Sequence, residues 1–272
     1  IMKKYLIAID LDGTLLVDSE MMSPITRDYL KSLKNDGHKI IIATGRPFRS
    51  SERFYNELEL DTPIINYNGG LVTSRKDTNF KPYSLKVKKE YVFDIFNNNA
   101  HLIENAFTEV EDDIYLYKDT KKIRPLLHYF NGATLSVGNF EDILKHDPNG
   151  FLVVCKEGMA DEFEAYIKNN FDGKILSRNW GHHYNFVVEI FTPETNKAEA
   201  LKYVSKYLGY EQDDIIAFGD AHNDIEMLAY AGHGVAMKNG QDRLKITTKH
   251  ITEFTNLEDG LVHYLKKHLS QK

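Results

Sequence analysis

The chain has 272 residues, of which 42% are hydrophobic, 27% charged and 12% aromatic, and 34 Lys+Arg against 40 Asp+Glu leave a formal charge of −6. With a mean hydropathy of −0.44, this composition excludes disordered, collagen-like and membrane-spanning classes. The acidic balance also argues against nucleic acid as the main partner, which calls for a clustered basic surface.

In chain order, Tyr5–Ile9 is a short continuous apolar run, the pattern of a strand buried on both faces. It stops at Asp10, too short for a signal peptide or a spanning helix, so no membrane partner and a cytoplasmic protein are expected. Ser23-Pro24 offers a helix start, and Ile25, Tyr29, Leu30 and Leu33 share one face of the helix that Asp36-Gly37 ends. Lys39–Ala43 and Pro63–Ile65 read as two more strands, separated by helix-like residues to Leu58. This alternation is the signature of a parallel sheet. The middle of the chain, about 84–191, differs: its strands alternate more, as in Asp113–Tyr117, and a helix around Glu162–Phe171 precedes two successive strands. That order suits an antiparallel sheet with helices on one face, a second domain inserted into the first. The expected division is a core of residues 1–83 and 192–272 and an insert of 84–191. The first style then returns, with helix Lys197–Leu208, strand Asp214–Phe218, helix Asp224–Ala231, strand Gly234–Met237 and a final amphipathic helix from about Leu257 to Leu269. Cys155 is the only cysteine and closes no internal disulfide, so it reads as a small buried hydrophobe in a reducing compartment.

The strongest chemical signal is Asp10-Leu11-Asp12-Gly13-Thr14, directly after the first strand. In open α/β sheets, ligands bind at the carboxyl ends of the strands, and residues i and i+2 of a strand share a face. Two carboxylates about 4 Å apart repel by about 4 kcal/mol at an effective dielectric near 20, so such a pair calls for a cation or a shared proton. Asp-Gly is also a common turn dipeptide, and taken alone the segment reads equally as site or turn. The second acidic cluster, Gly219-Asp220-Ala221-His222-Asn223-Asp224, again follows a buried strand and decides the matter. Helix capping explains one of its polar residues but not three, and hard oxygen ligands suit Mg²⁺. On the same edge, Thr44 offers a hydroxyl and Gly45 a close backbone approach to an anion. Lys197 opens the helix at Asn196, where its ammonium and the helix N-terminus both suit a phosphate. For Lys197 alone, a solvated surface lysine is the better reading.

The four segments DLDGT (10–14), TGR (44–46), NK (196–197) and GDAHND (219–224) resemble the haloacid dehalogenase superfamily of phosphatases, in family order across nearly the whole chain. Val188-Glu189-Ile190, Leu257-Glu258-Asp259-Gly260 and the insert are similar to its Cof-type (subfamily IIB) sugar-phosphatase branch. The resemblance implies an α/β fold, a Rossmann-like parallel-sheet core with an inserted α/β cap of the C2B type that selects substrate. It implies a Mg²⁺-dependent phosphatase acting on a small phosphorylated metabolite, such as a sugar phosphate, through an aspartyl-phosphate. Asp10 matches the nucleophile and a metal ligand, and Asp12 the general acid/base whose backbone carbonyl also ligates Mg²⁺. Asp220 matches a metal ligand. Thr44, with the backbone of Leu11 and Gly45, matches the phosphate-binding groups, and Asn223 a phosphate contact. Lys197 matches the lysine that neutralises nucleophile and phosphate, and Asp224 a supporting residue. Ala198 departs from the glycine that commonly follows that lysine, which bears on substrate fit rather than on the chemistry.

A carboxylate with a pKa near 4 is ionised at pH 7 but is a poor nucleophile, so Mg²⁺ and Lys197 are needed to let one anion approach another. General acid–base help from Asp12 supplies about 10²–10⁴-fold of an enhancement that reaches ~10²¹-fold for phosphate monoesters. Charge neutralisation and positioning must supply most of the rest. A phosphomutase using the same aspartyl chemistry is the nearest rival. A receiver-like signalling module would be shorter, and a non-catalytic phosphate-ligand sensor would not need both Asp10 and Asp12. His182-His183 reads as a turn between strands, His222 as lining the site, and Lys86, Lys88 and Lys89 as a solvated helix start. Nothing in the sequence separates a monomer from a small homo-oligomer.

Overall fold

The computed structural model describes residues 2–270; Ile1, Gln271 and Lys272, at the ends of the expected core range, lie outside the described residues. In chain order the first elements are β1 (Leu6–Ile9), α1 (Pro24–Asn35), β2 (Lys39–Ile42), α2 (Glu52–Glu57), β3 (Ile64–Asn66) and β4 (Leu71–Thr73). The middle contributes α3 (Lys89–Asn99), β5 (Ile103–Val110), β6 (Asp113–Leu116), β7 (Thr134–Val137), β8 (Gly150–Cys155), α4 (Ala160–Asn170), β9 (Leu176–Gly181) and β10 (Tyr184–Phe191). The last are α5 (Lys197–Leu208), β11 (Ile215–Gly219), α6 (Ile225–Tyr230), β12 (His233–Ala236), β13 (His250–Ile251) and α7 (Gly260–Ser270). The contacts divide the chain into two compact units, one of residues 1–83 and 196–272 and one of Ser84–Thr195.

The first unit is built on a parallel sheet of order β13-β12-β11-β1-β2. A bridge between Ala43 and Ile65 brings β3 alongside its edge. Because strand residues alternate faces, β1 splits its apolar side chains between two cores. Ile7 and Ile9 pack with Leu30 and Leu33 of α1, Phe54 and Tyr55 of α2, and Leu261 and Leu265 of α7. Leu6 and Ala8 pack with Ala200, Leu201 and Val204 of α5 and Met227 and Leu228 of α6. Both faces are thus covered, as a parallel sheet requires. The expected apolar face of α1 loses one member: Ile25 is 60% exposed, because Thr26 turns inward and donates to Asp259 Oδ1 at 2.8 Å.

In the second unit a six-stranded sheet has the order β7-β6-β5-β8-β10-β9. It departs from the expected antiparallel sheet at one edge, where β7 pairs with β6 in parallel. The segment 117–133 between those strands supplies the crossover that a parallel pair needs. The long helices α3 and α4 pack on one face, through Val92, Ile95, Phe96, Phe163 and Ile167. The other face is not bare, since Ile123 and Leu127 join Phe107, Ile114, Leu116 and Val154 in a smaller cluster. β9 and β10 form a hairpin whose turn holds His182 at a φ of 49°, so the histidine pair is a turn. Cys155 is buried, and burial with the nearby Glu164 pushes its thiol up to about 12, far from a reactive thiolate. No helix among the described residues is long and apolar enough to cross a membrane.

Candidate active site

Parallel pairing sets the geometry of the site. Ile9 lies beside Phe218 on one side and Ile42 on the other, so Asp10, Gly219 and Ala43 leave the sheet at the same level. Asp10 N–H still donates to Phe218 O at 3.2 Å, and Ala43 N–H to Ile9 O at 3.0 Å. Beyond that level the chain turns: Leu11–Leu15 forms one wide turn, closed by Leu15 N–H on Asp10 O at 3.2 Å. Gly13 sits in it at a φ of 73°, and a Cβ there would overlap the Asp220 carboxylate. On the second strand end, Asp224 Oδ2 accepts from the backbone N–H groups of Asp220 and Ala221 at 3.0 and 3.2 Å.

Lys197 lies between the two acidic segments. Its Nζ donates to Asp10 Oδ1 and to Asp224 Oδ1, both at 2.7 Å, and its side chain is 0% exposed. The solvated-lysine reading does not describe this residue. Asn196 caps α5 by accepting from Glu199 N–H at 2.9 Å, which aims the first turn of that helix at the sheet edge. Burial alone would depress the Lys197 ammonium, but Asp10 and Asp224 outweigh it and hold its pKa above the usual lysine range.

One carboxylate oxygen each from Asp10, Asp220 and Asp224 lies within 4.8 Å of the others. Burial, and then repulsion from Asp224, pushes the Asp10 carboxyl up to about 7. Burial and the Asp10 charge push Asp220 well above the carboxylate range. With all three carboxylates ionised, the single ammonium leaves this pocket two positive charges short, a deficit that the raised Asp10 and Asp220 carboxyls meet with protons and a divalent cation would meet instead. Hard oxygen donors with that deficit fit Mg²⁺ in donor type and charge. Asp224 has spent its oxygens on Lys197 and two amides, so Asp10 and Asp220 are the better-placed side-chain ligands. Thr14 Oγ1 donates to Asp220 Oδ1 at 3.2 Å.

Thr44 is 1% exposed, and its hydroxyl accepts from Arg46 N–H at 3.0 Å, which leaves its own proton to be donated. Gly45 faces Asn68, and a Cβ on Gly45 would lie 3.0 Å from Asn68 Oδ1. Asn223 Nδ2 donates to the same oxygen at 3.0 Å. Asn68 N–H bonds Thr44 O at 3.0 Å from a left-handed φ of 54°. Asn68 therefore links the Thr44 and Asn223 segments and was missed in the sequence, although it follows the third strand at the same edge. His222 is buried, with its backbone N–H on Gln241 Oε1 at 3.1 Å.

Asp12 behaves differently from the shared-face expectation. The chain leaves β geometry at Leu11, and the Asp12 carboxylate lies outside the three-acid cluster. Arg46 Nε donates to its Oδ2 at 2.8 Å and Nη2 to its Oδ1 at 2.6 Å. Arg46 is the second residue that the sequence reading passed over, although it stands in the TGR segment.

The profile of the haloacid dehalogenase-like hydrolases matches residues 7–265. A 5-amino-6-(5-phospho-D-ribitylamino)uracil phosphatase of Bacillus subtilis is 37% identical over 98% of both chains. A haloacid dehalogenase-like hydrolase from Bacteroides thetaiotaomicron is similar in structure, with a TM-score of 0.81, 26% identity, and 98% of this chain and 100% of that one covered. The fold is also that of a HAD subclass IIB sugar phosphatase, with a TM-score of 0.79 at 20% identity over 97% of this chain and 99% of the other. Strand ends bearing acids around a buried lysine, and a matching profile over nearly the full length, lead to one conclusion: the chain belongs to the haloacid dehalogenase-like hydrolases and is one of their phosphatases.

Proposed function

We propose that the protein is a Mg²⁺-dependent phosphatase that hydrolyses a small phosphomonoester through an aspartyl-phosphate on Asp10. The observation that carries this reading is the buried Lys197, bonded at 2.7 Å to both Asp10 and Asp224. The ammonium aims the Asp10 carboxylate and offsets part of the burial and of the Asp224 repulsion that push its pKa up.

In this reading Asp10, Asp220 and the Asp12 backbone carbonyl hold Mg²⁺, which when bound screens the carboxylates from the phosphoryl group and polarises its oxygens. The Thr44 hydroxyl, the Leu11 and Gly45 backbone, Asn223 and Lys197 bind the phosphoryl oxygens. An Asp10 oxygen attacks phosphorus, the ester P–O bond breaks, and the Asp12 carboxyl gives its proton to the leaving alcohol oxygen. Asp12 then takes a proton from water as that water attacks phosphorus, which breaks the acyl phosphate bond and frees phosphate and Asp10. The inserted unit, read as a cap over 84–191, selects the substrate. The 5-amino-6-(5-phospho-D-ribitylamino)uracil named for the Bacillus subtilis relative and sugar phosphates are the first substrates to assay, alongside nucleotides, flavin phosphates and pyridoxal phosphate.

The test uses the purified protein with Mg²⁺ and p-nitrophenyl phosphate. Asp10→Asn is expected to lose at least about 10³-fold in turnover, because it removes the nucleophile and not merely acid–base help. Turnover at the parent rate in Asp10→Asn would sink the aspartyl-phosphate reading.

A further inference from the structure

We propose that Arg46 is a positioning residue of the reaction, holding the Asp12 carboxylate in the orientation from which it exchanges protons with substrate and water. The proposal rests on the assignment of Asp12 as acid and base given above.

The guanidinium takes both Asp12 oxygens in a fork, at 2.8 and 2.6 Å. Its remaining donors reach Ser19 O at 2.7 Å and Ser50 O at 3.1 Å, and its carbon lies 5.7 Å from the centre of the Phe54 ring. Four of its five N–H groups are therefore spent on the protein. That makes Arg46 a poor candidate for binding phosphate directly and a good one for fixing another side chain. Exposure is unequal across the pair: the Arg46 side chain is 9% exposed and that of Asp12 is 54% exposed. An exposed ion pair of two mobile side chains contributes little. Here one partner is immobilised by carbonyls from two separate loops and the other is left open.

The fork fixes the carboxylate plane without closing it, because each oxygen keeps a second lone pair. Asp12 needs such support, since it stands on the exposed side of the Leu11–Leu15 turn, next to Gly13 at positive φ. The same short segment that carries Arg46 carries Thr44, whose Oγ1 accepts from the Arg46 N–H. A proposed phosphate-binding group and the support of the proposed acid/base thus move as one piece.

The experiment compares kcat/KM for ribose 5-phosphate, or the best sugar phosphate of the panel, with that for p-nitrophenyl phosphate. An alkoxide leaving group needs a proton from Asp12, and p-nitrophenolate scarcely does. Arg46→Met is expected to lower kcat/KM about 10²-fold on the sugar phosphate, the scale of a 1 Å misplacement, and less than about 10-fold on p-nitrophenyl phosphate. Asp12→Asn should show the same bias, and Arg46→Met added to Asp12→Asn should cost less than about 3-fold more, as expected of residues acting as one unit. Equal losses on both substrates, or full additivity, would overturn the proposal. If Arg46→Met fails to fold, Arg46→Lys is read in its place. It keeps a charge but not the fork, so a smaller loss with the same leaving-group bias supports the proposal and an unbiased loss overturns it. Parent kcat/KM on the sugar phosphate in Asp12→Asn would instead remove the assignment of Asp12 itself.

Discussion

At the scale of single residues, the site concentrates buried charge. Asp224 and Lys197 are fully buried and Asp10 is 4% exposed, so each depends on the others. Removing one partner of such a set leaves an uncompensated charge, at a typical cost of about 3–5 kcal/mol. The Asp10 carboxyl, raised to about 7 by burial and by Asp224, gives the pH dependence. Its folded pKa lies above its unfolded value near 4, so without a divalent cation the folded state binds more protons between those two limits. The stability it contributes is fully present below about pH 4 and drains away as pH rises through about 7. Mg²⁺ bound by Asp10 would compete with that proton. Saturating Mg²⁺ is therefore expected to raise Tm more at about pH 8 than at about pH 6. Thermal melts with and without Mg²⁺ check this, and an equal or reversed shift would contradict it.

At the scale of elements, α5 delivers the lysine. Its N-cap Asn196 is held against the loop after β3, where Gly69 has a φ of 98° and a Cβ would overlap the Asn196 carbonyl. That approach lets the helix start at the sheet edge. Gly69→Ala meets both a left-handed backbone and a backbone clash, so the loop or the start of α5 must move. The expected result is a loss of at least about 1 kcal/mol in urea unfolding together with a fall in kcat, because Lys197 is the next residue. Unchanged turnover in a destabilised Gly69→Ala protein would mean that the helix start is not what positions Lys197.

At the scale of the molecule, the chain carries two separate hydrophobic cores. The acids and the lysine all belong to the unit of residues 1–83 and 196–272, whereas Ser84–Thr195 encloses its own core of Val92, Ile95, Phe151, Phe163 and Ile190. A segment of that size with its own core lies within the usual range of independently folding domains. Residues 84–195 expressed alone are expected to unfold cooperatively in urea and to bind no Mg²⁺ in calorimetry. Non-cooperative melting would show that this unit depends on the remainder of the chain.

How much of this was legible beforehand follows from the range of each interaction. β1, β2, β11 and α5 were legible because a buried strand needs a continuous apolar run and a packed helix a stripe at helical spacing, both local patterns. The acids at 10, 220 and 224 were legible as strand-end residues for the same reason. Their meeting with Lys197 was implied by the family resemblance but not by any local pattern, which for Lys197 alone favoured a solvated lysine. The Asp10 contact spans 187 residues and depends on the register that sets Ile9 beside Phe218. Local spacing misplaced Asp12, since the i, i+2 rule ends where the strand does and the turn at Gly13 sends the carboxylate to Arg46. It likewise counted Ile25 as core and read the inserted sheet as antiparallel throughout, where a side-chain bond to Asp259 and a crossover connection at the β7 edge decided otherwise. Periodicity within the chain determined which segments are buried and which residue types stand at their ends. Only the tertiary structure decided which charge faces which, because a parallel sheet joins strands distant in sequence and burial then forces their charges to pair.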